Sequence, residues 1–194
     1  MIHTEPNWKS YMVETTEPIF TPEQCELISK LGRSMPPQKA EIGLGSEGEY
    51  NTKTRISHVS WIPFNKPDSI PMYKKLENMM HKTNKRHFGF ENMAIGEQAQ
   101  YTEYPEGGFY DWHMDCSLVM DKEPPVRKIS MTLVLSHESE FEGGGLELGK
   151  PGHIAKPKQG HAIFFASFIN HRVVPITKGL RKSLVMWFGG EPFK

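Results

Sequence analysis

The chain has 194 residues, of which 37% are hydrophobic and 24% are charged. This length allows one sizeable core, and the composition is that of a globular protein rather than a disordered one. Lysine plus arginine equals aspartate plus glutamate at 23 each, so the net charge gives no reason to expect a nucleic-acid or membrane partner. We therefore predict a single domain over residues 1–194.

The sequence also bears on the compartment. The first residues lack a basic segment followed by an apolar run, and no stretch approaches the roughly 20 apolar residues that span a bilayer. The two cysteines, Cys25 and Cys116, are far apart, and such a pair is more often two independent thiols than a disulfide. We expect a cytoplasmic protein with reduced thiols.

The first half of the chain predicts two helices and one strand. Thr21 can cap a helix, with Gln24 completing a capping box, and a second helix is expected to begin near Pro71. Residues 40–54 are polar and glycine-rich, which is typical of a loop, and 55–62 predict a strand. The loop is either a lid that orders over a bound substrate or a plain connector.

From residue 95 onward, short apolar runs separated by glycine and proline predict strands. In 127–135, apolar and polar residues alternate, which predicts a strand with one buried face. Many short strands behind a helical section favour a β-sandwich or barrel with helices on its outside. The strand-like runs are 95–104, 109–116, 127–135, 145–149, 162–166, 171–176 and 181–188.

Three polar residues are candidate metal ligands. His113 and Asp115 are two apart and would share one face of a strand, and His171 opens a later run. Two histidines and a carboxylate on one face of an octahedron leave three positions open, as Fe(II) oxygenases require. A His-x-Asp pair alone is weak, because such pairs occur by chance. The alternative is a hydrogen-bonded histidine near a strand end, with the aspartate in the following turn.

An arginine near the C-terminus strengthens this interpretation. Arg181 lies ten residues after His171, among residues that look buried. A buried arginine is costly unless it meets an anion, and its planar fork suits a dicarboxylate. Ser183 would share its strand face and could donate a second hydrogen bond. Without the three candidate ligands, an exposed charge on a strand would be the better interpretation of Arg181.

Three stretches of the sequence resemble the Fe(II)/2-oxoglutarate-dependent dioxygenases. Within these enzymes they are similar to the prolyl 4-hydroxylase-like group, which includes bacterial and phage PKHD-type hydroxylases. The likeness covers residues 95–194 closely and the N-terminal half more loosely. The stretches are YPEGGFYDWHMD (104–115), EGGGLEL (142–148) and GHAIFFASFINHRVVPITKGLRKSLVMWFGG (160–190).

The resemblance implies a fold and a division of the chain. The fold would be mainly β with flanking helices (α+β), a double-stranded β-helix or jelly roll with N-terminal helices packed on its outside. Residues 95–194 would form the catalytic jelly-roll core. Residues 1–94 would form a helical support and the substrate side.

The resemblance also implies roles for individual residues. His113, Asp115 and His171 would hold the iron, Arg181 would pair with the distal carboxylate of 2-oxoglutarate, and Tyr104 would hydrogen-bond that carboxylate. An alanine or glycine at position 115 would have suggested a halogenase, so the aspartate there argues against one.

Further residues would surround this centre. Ser183 and Trp187 would line the cosubstrate pocket. Tyr110 would either contact the substrate or only support its strand. His58 is a candidate on the substrate side because its predicted strand could border the pocket, and ordinary packing is the favoured alternative. The four substrate-side candidates are Arg55, His58, Trp61 and Tyr110.

The implied cofactors are Fe(II), 2-oxoglutarate as cosubstrate and dioxygen, with ascorbate as a candidate reductant. The implied reaction hydroxylates an unactivated C–H bond and yields succinate and carbon dioxide. A prolyl residue in a peptide or protein is the favoured substrate, with a free amino acid or another small molecule as the alternative. An alternative of another class is a non-catalytic cupin-like protein that binds a metal or ligand. A structural zinc site is disfavoured, because such sites are usually closed by four ligands.

Overall fold

The computed structural model describes residues 11–39, 53–116 and 126–191. Helix α1 spans Pro22–Arg33, and helix α2 spans Ile70–Thr83 and continues as a π-helical turn at Asn84–Phe88. A short 3-10 turn covers Glu138–Glu140. The strands of the first half are β1 (Met12–Glu14), β2 (Gln38–Lys39), β3 (Arg55–Ile56), β4 (His58–Ile62) and β5 (Ala94–Ile95). Those of the second half are β6 (Ala99–Tyr104), β7 (Phe109–His113), β8 (Val126–Val134), β9 (Phe141–Gly143), β10 (Leu146–Leu148), β11 (Ile154–Ala155), β12 (Ala162–Ala166), β13 (His171–Val173), β14 (Ile176–Gly179) and β15 (Arg181–Gly190).

The strands form two facing antiparallel sheets. The larger sheet has the order β1-β12-β8-β15-β6-β4-β2, with β5 also pairing with β15, and the smaller has the order β11-β10-β13-β7-β3. Strands β9 and β14 form a separate pair. An apolar cluster joins the sheets, with Tyr104 and Phe165 from the larger and Leu148 and Val173 from the smaller. This sandwich is the mainly β architecture that the strand pattern predicted.

Local chemistry explains where α1 begins. The Thr21 hydroxyl accepts from the backbone N–H of Gln24 at 3.3 Å, and the Gln24 side chain accepts from the backbone N–H of Thr21 at 3.1 Å. The predicted capping box is confirmed, and α2 begins at Ile70, next to the predicted Pro71. Within the described ranges, no helix combines the length and apolar character that crossing a membrane would need.

Both helices cover the outer face of the larger sheet. Successive residues of a strand point to opposite faces, so Leu184, Met186 and Phe188 of β15 join the core beneath the helices. The intervening Ser183 and Trp187 face the smaller sheet. The larger sheet thus has an apolar face toward the helices and a partly polar face toward the interior.

The expectation of a single buried face on β8 is wrong. Ile129 and Met131 are buried beneath the helices, and Ser130 and Thr132 are buried on the other face. The reason is position, because β8 lies between β12 and β15 and is covered by helices on one side and by the smaller sheet on the other. Polar residues of such a strand therefore lie in the interior.

The N-terminal half contributes strands as well as helices. Strand β3 extends the smaller sheet beside β7, and β4 extends the larger sheet between β2 and β6. Residues 1–94 are therefore more than a helical support. Of the predicted loop 40–54, residues 40–52 lie outside the described part of the chain.

We expect Gly32→Ala to destabilise the fold. A Cβ at this position would lie 2.3 Å from Cγ of Tyr101, so α1 would have to move away from the sheet. Overpacking costs about 1–3 kcal/mol, which exceeds the gain of about 1 kcal/mol in helix propensity from glycine to alanine. Urea unfolding measures the difference. Lys30→Ala, at an exposed position of the same helix, is the control and should change the free energy of unfolding by no more than about 0.5 kcal/mol.

Candidate active site

A bulge in β7 turns the rings of Tyr110 and His113 to the same face of the strand, toward the space between the two sheets. His113 pairs with His171 and Tyr110 pairs with Val173, so β7 has one more residue than β13 between these pairs. The rings of Tyr110 and His113 consequently stack, with centroids 3.5 Å apart. Strict alternation would have placed them on opposite faces, so the sequence pattern alone does not reveal this stack.

The outer face of the same strands carries an ion pair that links them. The Arg172 guanidinium lies 5.0 Å from the ring centroid of Trp112 and pairs with the buried carboxylate of Glu147. In the sequence, Trp112 directly precedes His113, and Arg172 directly follows His171. Strands β7, β13 and β10 are thereby joined on the side away from the interior.

Asp115 reaches the site through a bend rather than through strand alternation. Strand β7 ends at His113, and the backbone N–H groups of Asp115 and Cys116 both donate to the carbonyl of Ser167 at 3.0 Å. The carboxylate is buried and accepts from the Ser130 hydroxyl, with Oγ 2.6 Å from Oδ2. The expectation of a continuous strand over 109–116 is corrected at this point.

The structure brings the three predicted metal ligands together. One ligand atom from each of His113, Asp115 and His171 lies within 4.8 Å of the others. Nε2 of His113 is 3.7 Å from Oδ1 of Asp115, and Nε2 of His171 is 3.5 Å from Oδ2. These distances leave room for one ion between the three side chains.

The hydrogen bonds of the two histidines fix which nitrogen faces the interior. Nδ1 of His113 is 2.7 Å from the carbonyl oxygen of Asp111, and Nδ1 of His171 is 2.9 Å from that of Ile169. A carbonyl oxygen only accepts, so each Nδ1 carries the proton and donates it. Each Nε2 then faces the interior, as in metal-binding histidines.

The electrostatics favour a cation at the centre. Burial, together with the neighbouring His171, lowers the pKa of His113 to about 3. Burial would raise the pKa of Asp115, but His171, His113 and the Ser130 hydroxyl outweigh it and hold that pKa below its ordinary value. A neutral imidazole therefore faces a carboxylate without a proton between them. Two imidazoles and one carboxylate fit a ferrous ion with open positions.

A buried arginine lies in the same interior. Arg181 is 1% exposed, and burial lowers the pKa of its guanidinium. Nη1 donates to Ser183 Oγ at 3.2 Å, and the guanidinium carbon lies 5.5 Å from the ring centroid of Tyr104, which pairs with Arg181 across the strands. Among residues 11–39, 53–116 and 126–191, no carboxylate pairs with it. A buried guanidinium of this kind is stabilised by an anion.

A run of glycines makes room for this arginine. Gly144 has φ +64°, and a Cβ there would lie 2.8 Å from Cδ of Arg181 and 2.4 Å from Cδ1 of Ile176. The same run borders a cavity of about 300 Å³ that Arg181 also lines. Gly144 therefore leaves room for the Arg181 side chain in addition to forming the turn.

Three of the four substrate-side candidates lie close to this centre. The buried Arg55 donates to Ser57 Oγ at 2.8 Å, and its guanidinium lies 4.5 Å from the ring centroid of Tyr110. Arg55 and Tyr110 thus continue the stack that starts at His113. The rings of Trp61 and Trp187 lie 6.0 Å apart on the interior side of the larger sheet.

The structure does not bring His58 to the site. It shares a face of β4 with Ser60, whose hydroxyl donates to the carbonyl of Gly32 in α1 at 2.7 Å. This face points toward the helix, and His58 is exposed there. The single strand predicted over 55–62 is instead two strands, β3 and β4, which lie in different sheets. The sequence also did not reveal which face of β4 lies toward the interior.

Sequence reasoning missed three residues around the site. Ser130 bonds to Asp115, and Arg127 lies 3.9 Å from the ring centroid of Trp187 while Glu97 holds its guanidinium in an ion pair. A polar residue at an inward position of a buried strand was the available signal for Ser130. No local pattern links Glu97 and Arg127, which are 30 residues apart.

Comparison with known proteins agrees with this geometry. Residues 99–189 match the model of the 2OG-Fe(II) oxygenase superfamily. The match covers just under half of the chain. The matched residues carry the three candidate ligands and Arg181, so the resemblance predicted from the motifs is confirmed.

Curated relatives and solved structures extend this likeness. A PKHD-type hydroxylase of Parvibaculum lavamentivorans is 34% identical over 93 residues, which cover 45% of this chain and 41% of that protein. The match thus spans about two fifths of that relative's length. A prolyl-4-hydroxylase of Pseudomonas putida is 18% identical, with a TM-score of 0.67 and 93% of each chain covered.

A third protein shows the same fold with a bound peptide. The prolyl hydroxylase of Trichoplax adhaerens, in complex with a hypoxia inducible factor oxygen degradation domain peptide fragment, is 14% identical, with a TM-score of 0.73, 93% of this chain covered and 84% of that chain. At this identity the likeness shows the fold alone. The predicted double-stranded β-helix is confirmed.

The free energy of unfolding of the metal-free protein should depend on pH through His113. Between the ordinary pKa of 6.5 and about 3, the unfolded chain binds a proton that the folded chain does not. The contribution of His113 to the free energy of unfolding is therefore complete above pH 6.5. It is lost as the pH is lowered through the window, by at most about 1.4 kcal/mol per pH unit. Urea unfolding across the window, with chelator present, measures the slope. His113→Gln should flatten it, and an unchanged slope would show that His113 is not the group responsible.

Proposed function

We propose that this protein is an Fe(II)- and 2-oxoglutarate-dependent dioxygenase that hydroxylates an unactivated C–H bond. The observation that carries the proposal is the pairing of two features in one interior. His113, Asp115 and His171 present a three-ligand metal site, and Arg181 presents a buried guanidinium without a carboxylate partner in the described part of the chain. A dicarboxylate cosubstrate that chelates the metal would satisfy both.

The chain's own residues would hold and orient the reactants. Arg181 would pair with the distal carboxylate of 2-oxoglutarate, beside Tyr104. The Ser183 hydroxyl accepts from Arg181, so its own proton remains available for a carboxylate oxygen. Trp187 would close the same face of the pocket nearer to Asp115. The apolar cluster between the sheets would exclude water from this space.

Iron would supply the redox chemistry, because bound Fe(II) activates dioxygen while 2-oxoglutarate is converted to succinate and carbon dioxide. The protein would contribute three ligands that leave half of the coordination sphere open. It would also orient both imidazoles, with Nε2 pointed inward, through Nδ1–H donation to backbone carbonyls. Ascorbate remains a candidate reductant.

A prolyl residue in a peptide or protein is the substrate that we propose. The similarity to PKHD-type hydroxylases and the shared fold with prolyl hydroxylases support it. The rings of Tyr110 and Trp61 beside the candidate site would suit a flat aliphatic ring, and Arg55 could donate to a peptide carbonyl. A free amino acid would offer the same C–H bond without a flanking peptide.

Removal of a ligand should abolish turnover. We expect His113→Ala and Asp115→Ala to form no succinate above background with Fe(II), 2-oxoglutarate and a proline-containing peptide library, because two ligands do not retain the ion. Succinate release and a mass gain of one oxygen atom on a peptide are the two measurements. His58→Ala, in an exposed position away from the site, is the control and should retain wild-type turnover. Wild-type protein that binds metal and 2-oxoglutarate without turnover would instead indicate a non-catalytic binding protein.

Loss of the guanidinium should weaken cosubstrate binding in particular. We expect Arg181→Gln to weaken 2-oxoglutarate binding by about 2–5 kcal/mol, because a desolvated charge pair is lost. Arg181→Lys should restore part of the affinity, since lysine keeps the charge but not the fork. Equilibrium dialysis of labelled 2-oxoglutarate against the Mn(II)-loaded protein measures binding without turnover. Arg33→Gln, which removes an exposed arginine, should leave affinity unchanged. Equal affinity of wild type and Arg181→Gln would contradict the anchor role.

A further inference from the structure

One buried polar atom beside the candidate metal site has no hydrogen-bond partner in the described part of the chain. Trp187 is 7% exposed, and its indole Nε1 finds no hydrogen-bond acceptor among the described residues. Buried N–H groups are nearly always paired, and an unpaired one next to a metal site calls for an explanation. The indole N–H is therefore free to donate to an acceptor at the site.

Asp115 is the candidate acceptor for this N–H. Trp187 lies directly opposite Ser130 in the strand register, on the interior face, and the Ser130 hydroxyl donates to Oδ2 of Asp115 at 2.6 Å. The indole is close enough to Asp115 to help lower the pKa of this carboxyl group. Two donors on adjacent strands are thus aimed at one carboxylate.

The direction of the indole N–H is held by its neighbours. The guanidinium of Arg127 lies 3.9 Å from the indole ring centroid and is itself held by Glu97, with Nε 2.6 Å from Oε1. The ring of Trp61 packs at 6.0 Å. Cation–π and aromatic contacts of this kind restrict the ring without using its N–H. The polar atom therefore remains available for the metal site.

The geometry of the carboxylate suggests what the indole does. Oδ1 of Asp115 faces Nε2 of His113, and Oδ2 faces Nε2 of His171. An ion between the three side chains can take one carboxylate oxygen or both. When one oxygen is occupied by two hydrogen-bond donors, it is a poorer metal ligand than its neighbour, and a coordination position remains open.

We propose that Trp187 is a positioning residue that acts with Ser130 to hold Asp115 as a one-oxygen ligand. Its N–H completes the hydrogen bonds of the oxygen that does not bind the metal. The inference rests on the proposed function for the identity of the metal. Trp187 would then hold a metal ligand in place in addition to lining the cosubstrate pocket.

The test compares metal binding in Trp187→Phe with that in the wild type, using Co(II) as the probe. Phenylalanine keeps a ring beneath Arg127 but removes the N–H. We expect Co(II) affinity to fall by about 10- to 100-fold, as is usual when a partner of a metal ligand is removed. The intensity of the visible Co(II) bands should also fall, because a carboxylate that binds through both oxygens raises the coordination number. Ser130→Ala should change both quantities in the same direction.

Ser60→Ala is the matched control for Ser130→Ala, because it removes a buried hydroxyl from the helix side of the sheet. It should change neither Co(II) affinity nor the spectrum. The thermal midpoint of the metal-free protein is the second measurement. If Trp187 has only a packing role, Trp187→Phe will lower this midpoint and leave Co(II) affinity unchanged. If it has a positioning role, the variant will lower Co(II) affinity and leave the midpoint unchanged.

Unchanged Co(II) affinity and spectrum in a folded Trp187→Phe variant would overturn the inference. If Trp187→Phe fails to fold, Ser130→Ala decides, since it removes the other donor to the same oxygen. This failure differs from that of the proposed function, which would fail if the wild-type protein bound Co(II) yet formed no succinate with Fe(II) and 2-oxoglutarate. The two conclusions are thus tested separately.

Discussion

The candidate site depends on the meeting of His113, Asp115 and His171 in a buried interior. Backbone carbonyls hold the Nδ1 protons of both histidines, and burial keeps His113 neutral, so the Nε2 electron pair of His113 rather than a proton faces the carboxylate. Such an arrangement is stable when a cation occupies its centre. The surrounding elements can be understood as means of bringing these three side chains together.

Each ligand reaches the centre by a different device. A β-bulge positions His113, and His171 lies at the first position of β13. Asp115 lies in a bend that is held by hydrogen bonds to the Ser167 carbonyl. The facing sheet then supplies the polar partners, with Ser130 at the metal end and Arg181 farther along the interior. The sandwich is thus both the scaffold and the wall of the site.

Much of the fold and the centre could be predicted from the sequence. Thr21 and Gln24 predicted the start of α1, because capping is a local interaction. The residue types and spacing of His113, Asp115 and His171, together with the resemblance, predicted that these three side chains meet. Other features depend on contacts between distant segments. The face of β4 that carries His58, the extra residue in β7, and the pairing of Arg127 with Glu97 are set by the sheet register, which no local pattern specifies.

The central claim is that one interior holds a metal and a dicarboxylate in direct contact. Anaerobic addition of Fe(II) and 2-oxoglutarate tests it most directly, because chelation of the iron by the oxoacid gives a weak visible charge-transfer band. We predict that the band forms only when both are present, that it disappears in His171→Ala, and that succinate does not replace 2-oxoglutarate. Binding of Fe(II) and 2-oxoglutarate without such a band would contradict the claim.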